Sequence, residues 1–191
     1  FSRLFELVKV EEPDEVTAVR MLKVIVPNFE EHHQLKLADD VITESIRLSK
    51  RYLKERSLPD SAIDLIDRTM SAIKMMGETS REGVDTVREE LKLLMDRKGS
   101  ISEEELIKEL NWLMGSVKNK VSAVLLSQVE EELSKDKLED ADSIHNYLIL
   151  LLDKLSTASD AQRAFVEKAD VAAVVAGKTG IPIGKLQSQE R

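Results

Sequence analysis

Apolar residues recur along the chain at spacings of three and four, the pattern of helices that bury one face. Pro13 lacks an N–H and so suits a first helical turn. Behind it Val16, Val19, Leu22, Ile25, Val26 and Phe29 form one stripe. Pro27 lies inside that stripe and predicts a kink or an end near Val26. A second stripe (Val41, Ile42, Ile46, Leu48, Ser49, Tyr52, Leu53) follows Asp39 or Asp40 as cap. The third starts at Pro59 and runs Ala62, Ile63, Ile66, Met70, Ile73, wider than a coiled-coil seam and suited to a compact bundle. Ahead of all three, Phe5, Leu7 and Val10 alternate like the end of a strand.

Gly77 closes this section, and no Pro occurs between Pro59 and Pro182, which permits long helices. Val84, Val87, Leu91 and Leu94 make a stripe broken at Lys98–Ser100. Ser100 or Ser102 then caps a helix with acids in its first turn, favourable to the helix dipole. Leu106, Leu110, Leu113, Val117, Val121, Val124, Leu125, Val129 and Leu133 continue the stripe, with Gly115 as its weak point. Residues 134–142 predict a turn, and Ile144, Leu148, Leu151, Leu152 and Leu155 one further apolar face. Two or three antiparallel helices packed seam to seam are the simplest arrangement for 78–162. A short helix over Asp170–Ala176 follows, ended by Gly177.

Composition agrees with a helical chain. Of 191 residues, 42% are hydrophobic, 34% charged and 4% aromatic. The net charge of −8 and the lack of any basic tract argue against a nucleic-acid surface. No apolar run reaches the roughly 18 residues a membrane helix needs. Cys is absent, which removes thiolate metal sites and Cys nucleophiles and fits a cytoplasmic location. The chain lacks an initiator Met and ends without a boundary signal, as expected of a piece of a longer protein.

Chemistry is sparse. "AGKTG" (Ala176–Gly180) has the Gly-Lys-Thr of a phosphate loop, but a helix precedes it and Ile181-Pro182 follow where a helix should begin. His32 and His33 are adjacent, so on a helix their side chains diverge by about 100° and no chelating pair results. No metal site is expected. Asp64 and Asp67 fit a solvated helix face, Asp64 pairing with Arg68, and Trp112 fits packing or a partner contact. The residues alone describe a helical module without a complete active site, and 78–162 alone would also suit a non-enzymatic helical adaptor or oligomerisation module.

Three stretches add a family. "KVEEPDEVTAVRMLK", "EEHHQLKLADDVITESIRLSKRYLKERSLPDSAIDLID" and "KTGIPIGKLQSQER" resemble, in this order, the Clp-type AAA+ unfoldases and disaggregases. They are similar to the small helical (lid) subdomain of the first ATPase module and the junction into the second. The resemblance implies an all-α fold. Residues 1–76 and 164–182 form a discontinuous lid, 78–162 an inserted antiparallel, coiled-coil-like middle domain, and 183–191 a linker to a second ATPase module. It implies ATP and Mg2+ in the parent protein and none bound to this piece, which lacks both Walker motifs. The turn at Leu58, Pro59 and Asp60, with Ile63 behind it, would lie against the nucleotide: Leu58 and Ile63 near the adenine, Pro59 rigid, Asp60 polar beside them. Ser61 stands where many relatives carry Lys. "SRLF" is similar to the family's arginine-finger segment, which makes Arg3 the candidate finger. Expected partners are neighbouring subunits of a homohexamer, threaded substrate proteins, and a peptidase, co-chaperone or sheath protein. The type VI secretion branch, which disassembles contracted sheaths, is the nearest alternative, suited by "VKVEEPDE", "VPNFEEHH" and a short insertion.

Overall fold

The computed structural model describes residues 9–133, 138–160 and 163–187. Among these the chain forms nine α-helices, a short 3-10 turn and two strands of two residues each. The candidate arginine finger, Arg3, and Phe5 and Leu7 of the expected strand lie outside the described residues; Val10, its last position, is described and belongs to no strand.

Helix α1 (Glu15–His33) starts where the Asp14 carboxylate accepts the Thr17 N–H at 2.7 Å, and ends at Gln34 in the left-handed conformation (φ 54°). It runs through Pro27 without ending there. Pro27 is exposed, so the ring and the Lys23 carbonyl it leaves unpaired sit on the wet side, where water satisfies that oxygen. Strand β1 (Lys36–Leu37) leads to α2 (Asp39–Tyr52). Ala38, not an aspartate, holds the cap position of α2; Asp39 and Asp40 lie in its first turn and favour it through the helix dipole. Helix α3 (Asp60–Lys74) follows a cis Leu58–Pro59 peptide.

Four helices, rather than two or three, occupy 78–162: α4 (Glu78–Asp96), α5 (Glu103–Lys120), α6 (Ala123–Glu132) and α7 (Ala141–Ala158). The long stripe that reads as one helix through Leu133 breaks at Val121–Ser122, while Gly115 stays helical. The break is a tertiary effect. Ser122 donates its hydroxyl to the Ala72 carbonyl of α3 at 2.5 Å, and its N–H to Ser80 Oγ at 3.0 Å. Ser80 in turn donates to the Met75 carbonyl. Beside this joint, Gly83 of α4 lies so close to Lys120 that a Cβ would collide with its carbonyl oxygen.

Helices α4, α5 and α7 pack on one another as a bundle. Helix α6 packs on α7 and also on α3 and α8 (Lys168–Thr179), so it bridges the bundle to the rest. Helix α8 returns against α2 and α3, with Val171, Ala172 and Val175 fully buried. It continues past Gly177, where an added Cβ would meet Ala123 Cβ at 3.6 Å, and stops at Gly180, whose φ of 73° only glycine adopts readily. Strand β2 (Phe165–Val166) pairs in parallel with β1, Lys36 opposite Phe165 and Leu37 opposite Val166. Within the expected linker, residues Ile183–Gln187 form the short helix α9; Leu186 is fully buried and its carbonyl accepts Arg47 at 2.9 Å. One continuous apolar cluster runs from Ala18 to Leu186.

Ahead of α8 lies an ion pair with little exposure. The Arg163 guanidinium grips Asp170 with two bonds of 2.6 and 2.8 Å, and Asp170 is 2% exposed. Burial works against the Arg163 charge, yet the Asp170 carboxylate outweighs it and raises the Arg163 pKa. Asp170 also accepts the Glu167 N–H at 2.7 Å.

Three outcomes test this architecture. Gly83→Ala is expected to cost about 2 kcal/mol from overpacking despite alanine's better helix propensity. The same change at Gly115, which has open space around it, should stabilise by about 1 kcal/mol; urea midpoints report both. Arg163→Ala, which strands a buried carboxylate, is expected to cost roughly 3 kcal/mol in the same measurement. The third outcome is pH dependence. The Thr17 N–H and hydroxyl hold Asp14 below the ordinary aspartate value of 3.8. The Ser143 N–H and hydroxyl do the same for Asp140, the cap of α7. A carboxyl with a lowered folded pKa stabilises fully above its unfolded value and loses that contribution as pH falls through the folded one. In the variant D14N/D140N, which keeps capping oxygens but does not titrate, the thermal midpoint should fall less steeply below pH 3.8 than in the parent.

Candidate functional site

The turn before α3 is assembled from three separate segments. Leu58 is 4% exposed, and its N–H donates to Glu12 Oε1 at 2.8 Å, across 46 positions of sequence. Pro59 offers its carbonyl to the N–H groups of Ala62 and Ile63 at 3.1 and 3.0 Å, and Ser57 accepts from Ser61. The helix thus starts from backbone carbonyls of the turn, without a side-chain cap. Pro59 and Ile63 are half-buried and Asp60 is exposed. Asp60 pairs with Arg56 at 3.2 Å, and nearby Glu55 faces Lys178, from the end of α8, at 3.7 Å.

The structure therefore brings Leu58, Pro59, Asp60 and Ile63 into one turn but gives them different roles. Leu58 belongs to the core, and the surface a ligand would meet consists of Pro59, Ile63 and Asp60 with Arg56 behind it. Several other titratable groups around the first three helices have structural work. Asp64 accepts Arg68 at 2.7 Å, the pairing its spacing predicts. Asp67 contacts the buried His33 at 2.7 Å and joins α3 to the end of α1. The His32 and His33 rings meet edge-on, 4.8 Å apart. Glu30 receives the Leu37 N–H at 2.8 Å and so holds β1. Among the described residues no group of His, Asp and Glu is arranged to hold a metal ion, and no helix is long and apolar enough to cross a membrane.

Sequence reasoning missed Glu12 and Lys178. Their partners lie far along the chain, and neither residue stands in a pattern that marks it. Arg47 escaped notice for the same reason; it spans Glu44 and the Leu186 carbonyl and so ties α9 to α2.

Residues 14–116 match the family model described as an AAA lid domain. The chain belongs to this family. The match on the AAA lid domain covers α1 to α3 and continues through most of α5. Relatives are Clp-type AAA+ proteins. The chaperone protein ClpB of Porphyromonas gingivalis is 25% identical over 233 positions, covering 100% of this chain and 26% of that protein. The ATP-dependent Clp protease ATP-binding subunit ClpC of Staphylococcus aureus is 27% identical over 189 positions, covering 99% of this chain and 20% of the relative. Among solved structures, the S. cerevisiae Hsp104–ADP complex has the same fold with a TM-score of 0.51 at 20% identity, over 99% of this chain and 33% of that one. The chain thus spans between a fifth and about a quarter of the length of these curated relatives.

Proposed function

We propose that this chain is the lid and arm of an ATP-driven, hexameric Clp-type machine that unfolds or disaggregates proteins by threading them through its ring. The observation that carries this reading is end-to-end alignment with Clp ATPases: nearly every residue here, arm included, has its counterpart in ClpC. The packing of α8 on α2 and α3 supports a lid made of 1–76 and 164–182, interrupted by an arm at 78–162, with 183–191 leading toward a second ATPase module. Arg3 is the proposed arginine finger toward a neighbouring subunit.

The turn fits one end of a nucleotide. Pro59 and Ile63 supply a half-exposed apolar surface for a flat base, and Asp60 a polar group at its rim. No Gly-rich loop or carboxylate cluster for phosphates and Mg2+ accompanies them among the described residues, so those ends of the ligand fall to the rest of the parent. Bound ATP supplies phosphoryl-transfer chemistry; the residues here bind and orient. Glu12, through its bond to Leu58, holds the turn in register with the strap that enters α1. A lid hinged on that strap closes the base off from water and carries the arm with it. The arm then acts as a regulatory or partner-binding lever in a cytoplasmic assembly.

Alignment length supports one branch over another. The ClpB alignment extends over 233 positions against 191 residues here, whereas 189 suffice for ClpC. The compact arm favours a ClpC-like unfoldase over a ClpB-like disaggregase.

In the full-length protein, Ile63→Ala is expected to weaken ADP binding about 10-fold, the scale of lost methylenes in an apolar pocket. Titration with a fluorescent ADP analogue measures it. An unchanged affinity would overturn the placement of this turn on the nucleotide.

A further inference from the structure

The α4–α5 hairpin buries Val87, Leu94, Leu110 and Val117 on its inner side. Its outer side is uncovered: Leu93 is 63% exposed and Trp112 62%. The close approach of Gly83 to Lys120 and the 2.7 Å pair between Lys120 and Glu90 set the antiparallel register. Counted from Gly83 against Lys120, that register sets position 93 opposite 110, about half a helical turn from 112. On the same face, at helical spacings from them, stand Glu82 and Glu89 of α4 and Glu105 and Glu109 of α5. All four are exposed, and among the described residues none has an ion-pair partner, while two cations stand beside them, Arg97 four residues after Leu93 and Lys108 four before Trp112. The result is an apolar pair in a frame where unpaired carboxylates outnumber cations.

We infer that this face is a docking surface for a basic, amphipathic segment of another protein. Its apolar side would cover Leu93 and the Trp112 ring, and its Lys or Arg side chains would meet the carboxylates. Exposed Trp is the side chain most often found at the energetic centre of interfaces, and an Arg or Lys over the indole adds cation–π attraction. Charge excludes the other occupants. A second copy docked through this face would set carboxylate against carboxylate, and anionic lipid or nucleic acid would be repelled likewise. The inference deepens the reading of 78–162 as a partner-binding arm and rests on it.

Trp112 is the chain's sole tryptophan, so its emission reports on this face alone. The probes are a synthetic amphipathic helix of Leu and Lys and its twin with Glu for every Lys. The Leu/Lys helix is expected to shift the emission to shorter wavelength, protect it from acrylamide and lose affinity with added salt. The variant E89K/E109K should bind it at least about 10-fold more weakly, and Leu93→Ser several-fold more weakly. E31K/E131K, with the same charge change elsewhere on the surface, should bind as the parent does. Circular dichroism checks that each variant remains helical. No emission shift, equal binding of the Glu twin, or equal weakening by E31K/E131K would overturn the inference. A concentration-dependent shift without peptide would also overturn it and assign the face to a second copy. If the peptide fails to bind while deletion of 78–162 still alters the full-length ATPase, the docking surface falls and the arm reading stands. The Ile63 titration tests the lid independently of both.

Discussion

The fold hinges on a buried knot of hydroxyls and carbonyls where α3, α4 and the end of α5 meet. Ser122 cannot continue the α5 helix and also give its hydroxyl to Ala72 and its N–H to Ser80. The chain takes the second option because these groups are shut away from water, where an unpaired polar atom is costly. That choice ends α5, turns α6 onto α3 and α8, and makes one hydrophobic cluster of what would otherwise be two. Gly83 completes the knot by letting two backbones meet where any side chain would hold them apart.

A joint of this kind has mechanical meaning. Helices α3 and α4 are tied through Ser80 and Ser122, and α6 lies across the seam. The first three helices and the α4–α5–α7 bundle are therefore joined by hydrogen bonds and packed side chains. The turn at Leu58–Pro59 stands at the opposite end of α3 from the knot. Between that turn and the bundle of 78–162 the connection is α3 itself, its packed side chains and a few hydrogen bonds.

Much of the helical content was legible because it rests on local periodicity. The stripes of α1, α2, α3, α4 and α7 and the Asp64–Arg68 pair follow from residues three and four apart. What escaped was set at long range. No spacing rule shows that Ser122 has partners on α3 and α4, so a continuous apolar stripe conceals the break at Val121. Gly177 and Gly180 look alike as terminators until packing decides: Gly177 lies against Ala123 inside the helix, and the positive φ falls at Gly180. Pro27 misleads in the other direction, since on a wet helix face the carbonyl it leaves unpaired is open to solvent and the helix runs through. The candidate turn was legible only through family resemblance. Its tether, Glu12, was not legible at all, because an acid near the start of α1 also looks like a favourable charge for the helix end.

The short parallel pairing of β1 with β2 has a consequence for chain length. Lys36 and Phe165 are neighbours in space, so most of the chain between them is an excursion that leaves one spot and returns to it. Such a detour is tolerant of size. Doubling the residues in a flexible closed loop adds only about 0.6 kcal/mol of closure entropy, less than a single good helix cap. Changes of length within 78–162 therefore cost little chain entropy, because the β1–β2 pairing and the packing of α8 on α2 and α3 bring the chain back to the same place whatever the size of that excursion.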